Sequence, residues 1–373
     1  MDKNILDPKV VWVEGRCYRF FESNCWGLKS EEPYVEDDDD GYEKLMDLID
    51  KHDDDYLVTS CGEGKFKHSF SLPEVFYRFI VGIKGSTKRN IEQETQTKVQ
   101  VPNAKQQQSG NPANKKNELT MGEAIIITGS SRECILSCRR KIDLLVESNR
   151  CKIRPNYFIS IPLNTNVKIF DKFIEFKKAI IDNPDSKRMG IVDDLFVSEN
   201  KLHLTIGVML LIDDNEQQEA ISHLEKCVNE IIKPLLNAKN GPLVFKIQGV
   251  DVFRDRRYDL KQTNILFAKV SPSQLLQDIA NKIYLYFFEK GIMKENKSKS
   301  VQLHMTLMKS SKLIDTKLGN HDKPPNFDAT KIMQDYKDYE FGEAVFDTLQ
   351  ICDMESDNDD GSYKNIVEID LSK

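Results

Sequence analysis

Between residues 65 and 150 the apolar positions switch three times between strand-like and helix-like spacing. Three short segments alternate apolar and polar residues, as half-buried strands do: FKHSFSL, TKVQVP and EAIIITG. Three others space their apolar residues three and four apart, as amphipathic helices do: PEVFYRFIV, STKRNIEQET and SRECILSCRRKIDLLVESN. We expect Ser86 to cap the second of these helices. The order strand-helix-helix-strand-strand-helix predicts one mixed domain at 65–150.

Residues 151–373 continue with a longer series of strands and helices. The predicted strands are NYFISIPL, KLHLTIGVM, VQLHMTLMKS and two segments near 243–253 and 264–270. The predicted helices cover 167–182, 216–236 and 272–290. This region is therefore interpreted as a second α+β domain.

Two of these strands share a motif of histidine and threonine. His203 and Thr205 lie on one face of their strand, because residues i and i+2 point the same way, and aliphatic residues lie on the other. His304 and Thr306 repeat this arrangement 101 positions later. The same offset links GPLVF to GEAVF and NILFAKVS to NIVEIDLS, while a second similarity links NYFISIP and its following helix to NILFAKV and its following helix. We infer two lobes related by a pseudo-twofold axis, with the motifs on opposite walls of one groove.

Paired imidazoles and hydroxyls at one site suit the chemistry of phosphodiesters. A neutral imidazole can take a proton from water or from a sugar hydroxyl, and a protonated one can give a proton to the leaving oxygen. An unperturbed imidazole titrates near pH ~6.5, so both forms are accessible at neutral pH. Threonine hydroxyls can donate hydrogen bonds to the phosphate oxygens as charge develops. The candidate catalytic residues are His203, Thr205, His304 and Thr306.

A single His-x-Thr strand would favour a simpler interpretation, a buried structural histidine. The second copy has the same alternation of motif residues and aliphatic residues, and this repetition makes the catalytic interpretation the better one. We expect the other four histidines to be surface or structural residues. The proposed chemistry needs no metal, and no cluster of acidic residues or cysteines is evident to hold one. The sequence therefore predicts no cofactor.

Charge is distributed unevenly along the 373 residues. Residues 1–64 contain 7 Lys and Arg against 18 Asp and Glu, whereas residues 65–150 contain 15 against 8. We interpret 1–64 as an acidic N-terminal arm and linker that docks a partner, with a short hairpin in VVWVEGRCYRFF. The basic segment favours a polyanionic partner, and a merely solvated surface is the alternative. No signal sequence, membrane span or disulfide pattern is visible, which favours an intracellular protein.

A glycine pair joins the two short helices of the basic segment. Residues 82–85 read Gly-Ile-Lys-Gly, and glycine permits a sharp turn and a close approach of the backbone. The second helix begins at this turn, so its free N–H groups favour a phosphate, and nearby basic residues add contacts that do not read sequence. The alternative is a tight turn that serves packing alone. The candidate nucleic-acid-binding residues are Gly82, Ile83, Lys84, Gly85, Lys88 and Arg89.

Both regions resemble known families. Residues 65–150 resemble the type I KH domain (βααββα), which clamps about four nucleotides of single-stranded nucleic acid over its Gly-x-x-Gly loop. The strands LHLTI and LHMTL resemble the paired signature of the two-histidine (2H) phosphoesterase superfamily, whose members act on cyclic phosphate ends or on 2′–5′ or 3′–5′ linkages of RNA. The resemblance implies a bilobal, pseudo-twofold domain at 151–373, with β-sheets lining a central groove and helices outside.

Across residues 5–373 this order of domains resembles a family of nuclear subunits of a helicase-containing cointegrator complex. The resemblance implies a role in transcription coactivation and alkylation-damage repair. It also implies two partners: single-stranded nucleic acid, RNA rather than DNA, and other subunits bound through the N-terminal region, with no membrane. Two functions stay open, a metal-independent RNA phosphodiesterase and a non-catalytic RNA- or nucleotide-binding scaffold subunit. A pH–rate profile separates them, because two cooperating imidazoles predict a bell and a binder gives no rate.

Overall fold

The computed structural model describes residues 10–13, 16–19, 56–62, 64–102, 122–239, 241–253, 259–271, 273–294, 300–311, 313 and 326–372. The chain divides into two units, Met1–Asp54 and Asp55–Lys373. In the first unit, β1 (Val10–Val13) pairs antiparallel with β2 (Arg16–Arg19). The register leaves two residues between the strands, which is the spacing of a tight hairpin.

The second unit begins with a four-stranded antiparallel sheet packed against three helices, called here the four-stranded domain. The strand order is β3 (Val58–Ser60), β4 (Phe66–Phe70), β6 (Ile125–Gly129), β5 (Thr97–Gln100). The helices are α1 (Tyr77–Val81), α2 (Ser86–Thr95) and α3 (Arg132–Arg150), with a 3-10 turn at Glu74–Phe76. The β-α-α-β-β-α order agrees with the sequence pattern, and β3 extends the sheet upstream of the expected boundary at residue 65.

From Tyr157 onward a single eight-stranded antiparallel sheet, the eight-stranded domain, contains both histidine motifs. Its strand order is β12-β9-β10-β11-β8-β7-β13-β14. The strands are β7 (Tyr157–Pro162), β8 (His203–Met209), β9 (Val244–Val252), β10 (Ile265–Val270), β11 (His304–Lys309), β12 (Glu340–Val345), β13 (Thr348–Asp357) and β14 (Tyr363–Asp370). The sheet is curled, and helices pack against it.

The helices of this domain bury regularly spaced apolar residues against the sheet. They are α4 (Val167–Ile181), α5 (Asp214–Cys227), α6 (Lys233–Asn237), α7 (Gln274–Glu289) and α8 (Thr330–Asp335). In α4 the buried residues are Ile169, Phe173, Phe176 and Ile180, three and four apart. The expected single helix at 216–236 is instead divided by a π-helical turn at Val228–Ile232. Pro234, which has no N–H to donate, lies just beyond that turn.

The two lobes join into one sheet rather than forming opposite walls. The motif strands β8 and β11 are neighbours at its centre, flanked by β7 on one side and β10 on the other. The segments β7-α4-β8 and β10-α7-β11 therefore occupy equivalent positions, as the second sequence similarity indicated. The offset of 101, in contrast, relates GPLVF at the start of β9 to GEAVF in β12, the strand that pairs with β9 itself. It also relates β10, beside a motif strand, to β14, at the sheet edge. Short apolar strands resemble one another in sequence wherever they lie, which explains this mismatch.

Side chains from both domains pack together at their junction. Leu210 and Ile212, which follow β8, are buried in the apolar core of the four-stranded domain. Arg150, the last residue of α3, makes a bidentate ion pair with Glu216 at 2.7 and 2.9 Å. Nη2 of Arg150 also donates a hydrogen bond to the carbonyl oxygen of Leu210. These contacts hold the end of α3 against the start of α5.

Candidate active site

The strands that carry the two histidine motifs place all four candidate catalytic residues on one face of the curled sheet, called here the groove. Leu204 of β8 pairs with Met305 of β11 in antiparallel register, and both side chains are fully buried. Continuing that register by one residue in each direction sets each histidine opposite the threonine of the other motif. Residues that are directly opposite have Cβ atoms about 4.5–5.5 Å apart. The two imidazoles and two hydroxyls are therefore within reach of one phosphate.

Main-chain carbonyls fix the orientation of both imidazoles. Nδ1 of His203 lies 2.7 Å from the carbonyl oxygen of Lys201, and Nδ1 of His304 lies 2.7 Å from that of Gln302. Because a carbonyl only accepts, both Nδ1 atoms carry the proton, and Nε2 is the basic nitrogen of each neutral ring. In the first motif the Thr205 hydroxyl is 3.1 Å from Nε2 and donates to it.

Burial keeps both imidazoles neutral in the unliganded protein. Burial lowers the pKa of His203 to about 4, although the hydrogen bond to the Lys201 carbonyl acts in the opposite direction. The positive charges of Lys309 and of His304 in its protonated form also lower this pKa. Burial likewise lowers the pKa of His304, with Lys309 acting in the same direction. A proton therefore reaches either Nε2 more readily once an anion occupies the site.

Each imidazole is flanked by two aromatic rings. Phe158 and Tyr363 lie against the imidazole of the first motif, with ring centroids 4.9 and 5.5 Å away. Phe267 and Phe253 lie against that of the second, at 5.2 and 5.0 Å. Phe158 and Phe267 are buried, whereas Phe253 is 40% exposed. Tyr363 and Phe253 both meet their histidine edge to face, at 86°, so the two motifs have corresponding aromatic neighbours.

The Gly-x-x-Gly turn of the four-stranded domain has a backbone that requires its glycines. Gly82 and Gly85 have φ of +70° and +76°, a region that side chains disfavour. A Cβ on Gly82 would also lie 2.9 Å from the main-chain nitrogen of Thr87. Arg89 donates a 2.9 Å hydrogen bond to the carbonyl of Lys84, so it braces the turn from α2.

Three of the six residues that the sequence analysis named at this turn are exposed to solvent. Ile83 is 86% exposed, and Lys84 and Arg89 are exposed as well. Lys88 is half-buried and lies 3.9 Å from Glu92. The expected serine cap is wrong: Gly85 is the N-cap of α2 and Ser86 is its first residue. The left-handed Gly85 already ends the turn, so Ser86 enters with helical dihedrals.

Comparison with known families matches both domains. The family described as "AKAP7 2'5' RNA ligase-like domain" matches residues 155–371, more than half of the chain. The chain belongs to this family. The KH domain family matches residues 67–144. The eight-stranded domain is thus the RNA ligase-like domain, with the two-histidine phosphoesterase fold that its paired motifs indicated, and the four-stranded domain is the KH domain.

One relative matches over almost the whole length of this chain. Activating signal cointegrator 1 complex subunit 1 of Mus musculus is 27% identical over 384 residues, which cover 99% of this chain and 100% of that protein. Similar solved structures include E. coli LigT complexed with 3′-AMP, 15% identical, with a TM-score of 0.35 over 59% of this chain and 99% of that one. TT0787 of Thermus thermophilus is 13% identical, with a TM-score of 0.36 over 58% and 97%.

Within the RNA ligase-like domain, sequence reasoning missed Lys309. The register between β10 and β11 shifts between Leu266 and Phe267, which leaves Leu307 as an extra residue in β11. Leu307 and Met308 are consecutive and both fully buried. Lys309 therefore lies on the same face of β11 as His304 and Thr306. Strict alternation would place it on the opposite face. Its charge acts on both imidazoles. Two successive apolar residues after the motif are the only trace of this bulge in the sequence.

The RNA ligase-like domain also holds Tyr363 in place by contacts that no motif reveals. The Lys201 ammonium lies 2.6 Å from the Asp357 carboxylate and 4.6 Å from the centre of the Tyr363 ring. Asp357 ends β13 and Tyr363 begins β14, so one lysine ties both ends of this hairpin to the segment before His203. These partners are 156 and 162 positions from Lys201 in the chain, beyond the reach of local patterns.

Clusters of metal ligands and membrane-spanning helices are both absent from the residues that the structure describes. Among them, no group of three or more histidines, cysteines and carboxylates could hold a metal ion. None of the helices in that part of the chain has the length and apolar character needed to cross a membrane.

Proposed function

We propose that this protein is a nucleic-acid-binding subunit whose RNA ligase-like domain is a metal-independent RNA phosphodiesterase. One observation carries the proposal: two imidazoles with basic Nε2 atoms and two threonines share one face of adjacent strands. That set supplies an acid, a base and two donors for a single phosphate. The substrate class is a cyclic phosphate end or a 2′–5′ or 3′–5′ linkage of RNA.

The proposed reaction transfers one proton on each side of the phosphorus. Nε2 of one neutral histidine takes the proton of a water or a sugar hydroxyl while that oxygen forms its bond to phosphorus. The bond from phosphorus to the leaving oxygen breaks, and Nε2–H of the other, protonated histidine delivers its proton there. The hydroxyls of Thr205 and Thr306 donate to the non-bridging oxygens, and Lys309 offsets their charge.

The KH domain supports capture of single-stranded nucleic acid, with RNA proposed over DNA. Lys84 and Arg89 are exposed beside the start of α2, where free N–H groups favour phosphate. Their contacts would position a strand without reading its bases. The relative named above is called a complex subunit, and we extend that role to this chain. On this proposal the protein is nuclear, its N-terminal arm docks helicase-containing partners, and it serves transcription coactivation and alkylation-damage repair.

A second function, binding without turnover, is favoured by one feature of the same site. Both imidazole pKa values are lowered, so neither ring carries the proton of a general acid at neutral pH before a ligand enters. A non-catalytic subunit would use the groove to hold a nucleotide or an RNA end. The enzymatic proposal requires the bound phosphate to raise the pKa of one histidine.

A panel of defined RNA ends in chelator tests turnover, metal independence and substrate together. Wild-type protein is incubated with 2′,3′-cyclic, 2′–5′ and 3′–5′ substrates beside His304→Ala and the control His223→Ala. His223 lies outside the groove, with Nδ1 3.1 Å from the Tyr286 hydroxyl. We expect turnover of at least one substrate by the wild type and the control, and turnover lowered by about 10²–10⁴-fold in His304→Ala. Binding of these substrates without turnover would support the second function instead.

A further inference from the structure

The two motifs differ in the residue that lies across the strand pair from each histidine. His203 is opposite Pro162 of β7, whereas His304 is opposite Lys269 of β10. Opposite residues project from the same face, so Lys269 lies on the groove side of the sheet. At the equivalent position the first motif offers no charge.

The Lys269 side chain runs away from the histidine toward the edge of the sheet. A Cβ placed on Gly249 would lie 2.7 Å from Cε and 3.0 Å from Nζ of Lys269. Gly249 belongs to β9, the next strand outward, so the ammonium lies over β9 because that residue has no side chain. Strands are spaced about 4.8 Å apart, which puts Nζ roughly two spacings from β11 and its histidine. This cation is therefore displaced from the phosphate that the two histidines would hold.

The Lys269 ammonium is also available for a ligand. Among the residues that the structure describes, no carboxylate forms an ion pair with it. By contrast, Lys246 of β9 lies 2.9 Å from Glu340, and Lys201 beside the first motif lies 2.6 Å from Asp357. A carboxylate on the same strand as Gly249, that of Asp251, accepts the main-chain N–H of Val252. A second phosphate would give Lys269 the counter-charge that the other two lysines already have.

We propose that Lys269 forms a second phosphate subsite, so that the groove binds RNA ends or linkages carrying a further phosphate beside the reacting one. The phosphorylated side of the ligand lies over β10 and β9, and the nucleoside on the other side lies toward Tyr363. This inference rests on the proposed function, because it takes the histidine pair as the site of the first phosphate. It also predicts the orientation of the bound ligand, which the two similar histidine motifs alone would leave undetermined.

Stable monoester ligands test the subsite without requiring turnover. Adenosine 3′-phosphate and adenosine 3′,5′-bisphosphate are titrated into the full chain by calorimetry, in a Lys84→Asp/Lys88→Asp background that removes the KH loop. We expect the bisphosphate to bind about tenfold more tightly, which is the effect of one additional charged contact. Lys269→Gln should abolish this preference and leave monophosphate binding unchanged, whereas Lys269→Arg and the ion-paired control Lys246→Gln should keep it.

The outcomes separate this inference from the proposed function. Equal binding of both ligands by the parent protein, or a preference that survives Lys269→Gln, overturns the second subsite while leaving the histidine site intact. Failure of the parent protein to bind either ligand removes the histidine site itself, and the second subsite with it. Thermal unfolding of each variant checks that a lost preference does not come from lost folding.

Discussion

The two halves of the RNA ligase-like domain carry the same motif in unlike surroundings. In the half with His203, the fifth residue after the histidine is Val208, and the cross-strand neighbour is proline. In the half with His304, the corresponding positions are Lys309 and Lys269. The aromatic neighbours and the carbonyl acceptors of Nδ1, in contrast, correspond closely. On the proposed function, the shared parts would supply the acid–base chemistry. We expect the differing parts to decide which side of the groove attracts negative charge.

The largest expected effect comes from removing either imidazole. His203→Ala and His304→Ala should each lower turnover by about 10²–10⁴-fold, because proton transfer in the transition state contributes that much. Rates on the best substrate of the panel measure this loss, with binding to single-stranded RNA unchanged as the control for the KH domain. Retention of full turnover by one variant would mean that only one half takes part in the reaction.

Acid should destabilise the protein mainly through the more strongly shifted histidine. The folded-state pKa of His203, about 4, lies below the unfolded value near ~6.5. The unfolded state therefore binds more protons between these values, and stability is lost as pH falls from 6.5 to 4. The expected loss is about 3 kcal/mol at pH 4, from 1.36 kcal/mol per pKa unit.

Urea unfolding between pH 4.5 and 7 measures this dependence. The free energy of unfolding of His203→Gln should vary less with pH than that of the wild type. His304→Gln is the matched control in the other half and should reduce the pH dependence less. An unchanged slope in His203→Gln would show that this ring titrates normally in the folded protein.

Lys309→Val makes the second half resemble the first at one position. Removing the cation should raise the pKa of both imidazoles, since its charge lowers both. It should also lower kcat/KM by about tenfold, because one charged contact to the phosphate is lost. In the wild type the maximum of the kcat/KM profile should lie below pH 6.5, and in the variant it should move toward higher pH. The matched control is Val208→Ala, for which no movement is expected.

The smallest expected effect concerns the contact between Lys201 and the hairpin of β13 and β14. Lys201→Met removes the ion pair with Asp357 and the charge over the Tyr363 ring. Exposed ion pairs contribute about 0.2–1 kcal/mol, so we expect kcat/KM to fall by no more than about fivefold. Lys246→Met breaks an ion pair away from the histidines and should leave the rate unchanged. If Lys201→Met and Lys246→Met changed kcat/KM equally, Lys201 would have no role in positioning Tyr363.

Features that depend on the regular alternation of residues along a strand were predicted from the sequence. Features that arise where the strand departs from that alternation were not. Alternation placed His203 with Thr205 and His304 with Thr306 on shared faces, as the structure has them. Lys309 escaped detection because a bulge adds a residue that strict alternation does not allow.

Long-range packing accounts for the other differences. The side-by-side arrangement of the motif strands follows from one antiparallel pairing, between Leu204 and Met305, and nothing in either strand specifies its partner. Tyr363 reaches the first histidine through a hairpin more than 150 positions away in the chain. Local rules also misplaced the start of α2, because the left-handed Gly85 rather than Ser86 caps it.

The most direct test observes both histidines while one phosphate binds. In histidine-labelled protein, NMR signals of His203 and His304, assigned from their Gln variants, are followed during titration with adenosine 3′-phosphate in chelator. We predict that both signals shift together with one dissociation constant and one ligand per chain, and that both pKa values rise in the complex. Independent shifts, or a response from only one imidazole, would contradict a single phosphate held between the two motifs.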